Sequence, residues 1–522
     1  MSRKPTMTMP KPSVYERALT HVAPDYAMRH YKARAMMAIA SGWTGASQSR
    51  RSLKQFNVYG YDPDSDIATD LETLRNRSRH LNRNNPIASG ALKTKAMNVI
   101  GQGIQLQAQL DRDALNMTET QADLWEANTE REWQLFWGKK ECHRAGILNG
   151  NAICNQVYRQ YLENGDVFVT FPRLRRRWFP YSLQLQVIEA DRCNNKDFAP
   201  NSATQMEGVE KDQTGKVLRY HFSNQHLTTL LGIDRGKIKW QTVEAIDKST
   251  GLPNVVHLYH QDRPGQSRGI PDLAPVIEPL MQLGRYTEAE LMAAVVSGFF
   301  TVFITSKTGE ATLDLSNMED ETGSTTSDDD IKLGNGLVVG LNPGEEVHDS
   351  NPGRPNNSFD PFVQAVLRQV GVALGLPFEI LIKHFTSSYS AAQAALLEAW
   401  RYFTAERSWF CENFLAVVYE VWMYEAVALG RISAPGFFAD PIIRQAYLGA
   451  RWTGPGRGMI REDVESRAAI TSIEGGLTTL QEKTAEINGG NWERNHRQRV
   501  KEHNARVKDG LIEDKSKKGP EQ

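Results

Sequence analysis

The segment Lys383-His384-Phe385-Thr386-Ser387-Ser388-Tyr389 gathers one firm cation, a titratable imidazole, two aromatic rings and small hydroxyls between a helix stop, Gly375-Leu376-Pro377, and a long helical pattern. Hydroxyls form transient hydrogen bonds with phosphate and release them readily, whereas added cations would hold it. Arg75, Arg79 and Arg83 fall at i, i+4 and i+8, so a helix would put all three on one face, toward either phosphates or the carboxylates of an adjoining surface. His257 and His260 suggest a metal pair, but i and i+3 on a strand point to opposite faces. The acidic run 316–330, SNMEDETGSTTSDDD, lacks a histidine or an apolar frame and reads as a solvated loop.

Other reaction classes fail on spacing. No Gly-x4-Gly-Lys-Ser/Thr is present, and Asp247-Lys248-Ser249-Thr250 lacks the glycines that would open backbone N–H groups to phosphate. Gly101-Gln102-Gly103 follows a helix instead of opening one, so it is no dinucleotide fingerprint. His-Glu-x-x-His, Gly-x-Ser-x-Gly and the kinase set are missing too. A chain of this size without such sites reads as a structural component with no cofactor or metal, and not as an enzyme.

Its 522 residues, 40% of them apolar, can bury several cores in two to four domains. A net charge of −1 does not describe a general nucleic-acid glue. Cys142, Cys154, Cys193 and Cys411 stand far apart with no Cys-x-x-Cys, which fits a reduced compartment and buried thiols. No apolar core of a signal peptide opens the chain. Leu291 to Ile304 is too short for a bilayer and reads as a buried helix running into a strand, so the chain is expected to be soluble.

The elements that must position these residues follow from periodicity. Residues 1–55 carry ten cations, among them Arg3, Lys11, Arg34 and Lys54, against Glu16 and Asp25; this basic arm is either a solvated terminus or a contact for nucleic acid or an acidic neighbour. Helical spacing at Leu71, Leu74, Ser78 and Leu81 precedes a second helix capped at Asn84-Asn85, with Pro86 in its first turn and Gly101 at its end. Strands are expected at Ile104–Leu110, Asp166–Phe171, Leu183–Ile188, Lys216–Phe222, Asn254–Tyr259, Gly336–Leu341 and Glu346–His348. Helices are expected at Trp125–Trp137, Ala152–Leu162, Pro279–Val296 and Asp360–Val370. From Leu397 the positions Trp400, Phe403, Phe410, Phe414, Val417, Val421 and Tyr424 recur at threes and fours, interrupted by Arg407. That stripe predicts a rod of roughly 40 residues and about 60 Å. Residues 449–470 read as a turn and a capped helix, and Thr478–Val507 as a charged helix.

Five blocks in order, LRNRSRHLNRNNPIA (74–88), VVHLYHQDRPGQSRGIPDLAPVI (255–277), NSFDPFVQAVLRQVGVALGLPFEIL (357–381), SSYSAAQAALLEAWRYF (387–403) and WTGPGRGMIREDVESRAAI (452–470), resemble the portal proteins of tailed phages, in particular the lambda-like family. The resemblance implies an α+β, multidomain portal fold with a mixed wing domain, helical stem, clip, long spine helix and helical crown. The expected divisions are a basic N-terminal arm (1–59), first wing part (60–189), clip region (190–262), stem helix (263–300), second wing part (301–376), tunnel loop (377–390), spine helix (391–430) and crown with C-terminal tail (431–522). It further implies a homo-oligomeric ring of about twelve copies built by head-to-tail contacts at one capsid vertex of the virion. Double-stranded DNA would pass its channel, with Lys383, His384, Phe385, Thr386, Ser387, Ser388 and Tyr389 as tunnel-loop residues. Implied partners are the terminase motor, head-completion or adaptor proteins and the major capsid protein, with no membrane. A different head–tail ring and a DNA-processing enzyme are the rival classes. Trp133, Trp137, Trp178 and Phe179 are candidates for subunit contacts or for core.

Overall fold

The computed structural model describes residues 17, 23–40, 60–226, 238–298, 302–306, 345–349, 358–385 and 388–512. The acidic run 316–330, the strand expected at 336–341 and most of the basic arm lie outside the described residues. The chain forms two compact units, 1–62 and 63–522. In the first, helix α1 spans Pro24–Ala40.

The larger unit opens with α2 (Pro63–Ala68), α3 (Leu71–Asn84) and α4 (Pro86–Val99). Asn85 alone caps α4: its side chain accepts from the N–H groups of Ile87 and Ala88, which have no partner within the helix, and Pro86 follows where no N–H is needed. After β1 (Gln105–Ala108), helix α5 (Glu119–Trp137) starts in a reciprocal Thr118–Gln121 capping box. Helix α6 (Gly150–Asn164), capped by Asn149, packs on α3 and α4 and leads into β2 (Asp166–Thr170).

Strand β2 is the centre of an antiparallel three-stranded sheet, with β3 (Gln186–Glu189) on one side and β8 (Val255–Tyr259) on the other; Phe168 faces Ile188 and His257 across the ladders. Between β3 and β8 the chain builds a separate antiparallel sheet, β4 (Gln205–Met206), β5 (Val209–Lys211), β6 (Val217–Ser223) and β7 (Trp240–Glu244), in sequence order. Helix α7 spans Ile277–Gly298, strands β9 (Val302–Ser306) and β10 (Glu345–Asp349) pair, and α8 (Phe359–Ala373) and α9 (Phe378–Ile382) follow.

The expected rod is present. Helix α10 (Tyr389–Phe410) continues through a π turn, Cys411–Leu415, into α11 (Ala416–Ala428). Its second half buries Phe410, Phe414, Leu415, Val418, Tyr419, Val421, Trp422 and Met423, while Glu412, Asn413 and Ala416 stay exposed on the opposite side. Trp133 of α5 stacks on Trp137 at 4.7 Å and meets Trp422 and Tyr419 edge-on, so the aromatic stripe forms the heart of the subunit. Trp133, Trp137 and Phe179 are core residues, while Trp178 is 87% exposed. Arg407 is no defect in the stripe: its guanidinium donates to the carbonyls of Val99 (2.9 Å) and Asn98 (2.7 Å), which close α4 and lack helical partners. The four cysteines are buried thiols.

Some expectations need correction. The run from Leu291 is not a buried helix: α7 buries Ile277, Leu280 and Leu283, then leaves the core and exposes Leu291, Met292 and Val295. Residues 449–470 are not simply a turn and a helix, because Ala450–Thr453 forms β11, pairing antiparallel with β1 so that Leu106 faces Trp452. The partner lies hundreds of residues away, which local pattern does not register. The helix after it, α13 (Glu462–Glu474), has Arg461 at its N-cap with no side-chain cap; Glu465 reaches back to accept from the N–H groups of Ile460 and Arg461 instead. The segment 478–507 is two helices, α14 (Leu480–Asn488) and α15 (Trp492–Lys508), separated where Gly489 turns left-handed at φ +68°. Helix α12 (Pro441–Tyr447) precedes β11.

Candidate functional site

The tunnel-loop candidates sit where α9 ends and the spine begins. Gly375 turns left-handed at φ +66° beside the Tyr402 ring, and Pro377 starts α9. Lys383 ends α9, itself left-handed at φ +56°, and the N–H of His384 still reaches the Glu379 carbonyl at 3.1 Å. Beyond that point Lys383, His384 and Phe385 are exposed. Thr386 and Ser387 lie outside the described residues. Ser388 is exposed at the N-cap of α10, where its carbonyl accepts from Ala392 at 2.9 Å, and Tyr389 is the first helical residue. The structure thus brings Lys383, His384, Phe385 and Ser388 to one surface turn.

Lys383 and Phe385 also border a groove of about 290 Å³, whose walls include Met97, Leu397, Trp400 and Ile460. Trp400 is half-buried there, with the Arg407 guanidinium 5.2 Å from its ring centroid.

Ties far apart in sequence hold the spine beneath this turn. The ammonium of Lys95, on α4, contacts both Asp272 oxygens (3.0 and 2.8 Å) and the Tyr402 hydroxyl at 2.9 Å. Burial would lower that ammonium, but Asp272 and Tyr402 outweigh it and keep Lys95 charged. Glu425, near the spine's other end, accepts from the Ser182 N–H and hydroxyl and from the Leu183 N–H, fixing the chain that enters β3. Glu132 takes Arg431 in a two-pronged ion pair and also accepts from Tyr181.

The arginine stripe meets carboxylates. Arg75 donates to Asp166 at 2.8 Å, and Arg79 pairs with Asp191 and Glu189. Arg83 is exposed. Asp166 is the centre of a fully buried cluster: Arg268 reaches it at 2.6 Å, His257 at 3.2 Å and the Gly269 N–H at 3.4 Å. The other Arg268 nitrogens satisfy the carbonyls of Ala190, Cys193 and Glu207, at the root of the β4–β7 sheet. Burial alone would raise the Asp166 carboxyl; Arg268, Arg75 and His257 outweigh it and hold it well below the usual carboxylate range. Burial pulls His257 down to about 4, so its ring is neutral at pH 7. Delivery of Arg268 depends on Gly269, where an added Cβ would lie 2.0 Å from the Gly165 carbonyl oxygen. In the sequence Arg268 stands only within the family block 255–277; the signal that marks it is an arginine between Ser267 and Gly269 in a Gly/Pro-rich stretch.

His260 turns away from His257 to stack on Trp409 at 3.9 Å and contact Glu406. Among the described residues no group of three His, Cys, Asp or Glu could hold a metal ion, and no helix is long and apolar enough to cross a membrane.

The family model for phage portal proteins of the lambda family matches residues 49–407. Portal protein B of Escherichia phage lambda is 22% identical over 489 residues, covering 90% of each chain. The portal protein of Escherichia phage N15 is 24% identical over 486 residues, covering 87% of this chain and 88% of its own. Among solved structures, a chain from the virion of a native gene transfer agent particle has a TM-score of 0.42 at 13% identity, covering 86% of this chain and 96% of its own. A chain from the neck of the native particle, computed with C12 symmetry, also has a TM-score of 0.42, at 12% identity, over 80% and 93%.

Proposed function

The chain belongs to the lambda family of phage portal proteins, and we propose that it works as the ring at one capsid vertex through which double-stranded DNA is packaged and ejected. The ring is read as about twelve copies joined by head-to-tail contacts, each subunit offering two different complementary faces. The exposed Leu291, Met292 and Val295 at the far end of α7 supply apolar surface for such contacts. The chain's role is structural, as a virion component made in the host cytoplasm, with terminase, head-completion or adaptor proteins and the major capsid protein as partners.

The observation that carries the channel assignment is the exposure of Lys383, His384, Phe385 and Ser388 at the head of the spine, in a segment whose sequence holds Lys383 as its one firm cation and hydroxyls as much of the rest. A channel must let a polyanion slide. Each fixed phosphate contact adds to the salt-dependent hold on DNA, so a surface of hydroxyls releases the duplex where a ring of lysines would brake it. Within this reading residues 377–390 are the tunnel loop, 391–430 the spine, 263–300 the stem and 431–522 the crown and tail. The wing comprises 60–189 and 301–376, the arm 1–59, and the clip falls in 190–262, which contains the β4–β7 sheet.

Electron microscopy of the purified protein tests the assembly: a ring with an axial channel is expected, and a stable monomer or dimer at micromolar concentration refutes it. For the loop, replacing Ser387 and Ser388 by Lys is expected to leave rings intact while slowing or stalling packaging. Packaging at the wild-type rate in such rings would move the DNA contact elsewhere.

A further inference from the structure

A concentration of positive charge lies on the turn that joins β2 to β3, whose base Glu425 holds near the far end of the spine. Residues 172–180 read PRLRRRWFP. The turn is closed by backbone bonds from Leu174 to Ser182 (2.8 Å) and from Gln184 to Pro172 (2.9 Å), and buried Phe179 and Tyr181 root it in the core. Arg176 folds back and donates to the carbonyls of His143 (3.0 Å) and Arg144 (2.8 Å), which seats the segment 139–147 beside it. Two basic stretches thereby become one surface. Arg173, Arg175 and Arg177 are exposed on the turn, and Lys139, Lys140 and Arg144 are exposed on its neighbour.

None of these six cations has an ion pair among the described residues, and Glu141 is the one acidic residue of the two stretches. With a net charge of −1 for the whole chain, this is segregation and not surplus. Crowded like charges repel, and a polyanion lying across them relieves that repulsion while releasing its own counterions. Trp178 is 87% exposed, with the Arg177 guanidinium 5.0 Å from its ring centroid. Arginine forks match phosphate oxygens two at a time, which favours a phosphate backbone over scattered carboxylates. Six cations against three exposed apolar side chains, Trp178, Leu174 and Ile147, also weigh toward charge neutralisation over insertion into lipid.

From this placement we infer that the turn Arg173–Trp178 is a second contact for duplex DNA, separate from the channel loop, gripping backbone phosphates through Arg173, Arg175 and Arg177 with Trp178 against the sugar edge.

The test is fluorescence anisotropy of a labelled duplex of about 20 base pairs with the full chain, read from about 50 to about 200 mM NaCl. At ~0.9 of slope per phosphate contact, the three arginines together should make wild-type affinity fall roughly 40-fold more steeply over that range than R173Q/R175Q/R177Q. The triple variant R173K/R175K/R177K, which keeps the charge, should retain the wild-type slope, and W178A should weaken binding several-fold without changing it. Lys383→Gln, in the channel loop, should leave the 173–178 contribution intact, which separates this site from the channel reading. Unchanged slope and affinity in the Gln variant at wild-type particle size overturns the proposal. So does tighter, arginine-dependent binding to phosphatidylserine vesicles, or equal competition by polyglutamate.

Discussion

Replacing Asp166 by Asn keeps the shape of the side chain and removes the one carboxylate that Arg75 and Arg268 share in the interior. Both guanidinium groups lie within 2.8 Å of that carboxylate and are buried, Arg268 completely. Arg75 retains a longer contact to Asp191 at 3.6 Å, whereas Arg268 retains only backbone carbonyls. Stranding a buried charge in this way costs about 3–5 kcal/mol. If the roughly 460 residues of the larger unit melt together, ~2.1 cal/mol/K per residue converts this to about 3–5 °C, and to more where a smaller segment melts alone. Differential scanning fluorimetry should show the loss with little dependence on NaCl, because buried pairs are poorly screened. Arg75→Met should cost less, since Asp166 and Arg268 would still neutralise each other. The sign with pH follows from the depressed carboxyl: its contribution is present above the ordinary value of 3.8 and is lost as pH falls through the lower native value. An Asp166→Asn protein melting within a degree of wild type at pH 7, or above Arg75→Met, would refute this account of the cluster.

Gly269→Ala should destabilise the same cluster by a few kcal/mol without touching a charge, because its Cβ would collide with the Gly165 carbonyl and push Arg268 from Asp166; a wild-type melt would show that the turn can yield. Burial, reinforced by Asp123, Glu493 and Glu130, lifts the Glu126 carboxyl to about 7 even though it accepts from the Leu110 N–H and Arg497 lies in the same cavity. Its contribution is full below 4.5 and is lost as pH rises through about 7, so Glu126→Gln should flatten the melting profile in that window and gain about 1 kcal/mol at pH 8, discounted for its half-exposure. A profile that keeps its slope would count against it. Trp400→Asp should cost about 1–2 kcal/mol, less than a fully buried position would, because Trp400 lines an open groove and Arg407 stands ready to pair; an unchanged melt would mean the indole contributes nothing there.

The alternation of IQLQAQL, the Asn-Pro helix start at 85–86 and the threes and fours from Phe403 to Tyr424 were legible because they are local: side-chain period and capping act within a few residues. So were the five family blocks in order, and with them the family itself. What each polar residue of those patterns is for was not legible. Arg75 and Arg79 left phosphates and carboxylates as open alternatives, and only the return of β2 and the Ala190–Cys193 corner beside α3 settled the matter for carboxylates. Arg407 broke a stripe on paper and closes another helix in space. Lys95 and Tyr402 meet across some three hundred residues, as do β1 and β11. The loop 383–389 was marked by its residue types, but the exposure of Lys383, His384, Phe385 and Ser388 at the head of the spine came from where α9 stops and from the packing of α10 on α4. Sequence carries the one-dimensional periods by which a chain chooses its elements; which charge neutralises which, and which face remains open to a partner, depends on contacts that exist only once distant segments have been brought together and desolvated.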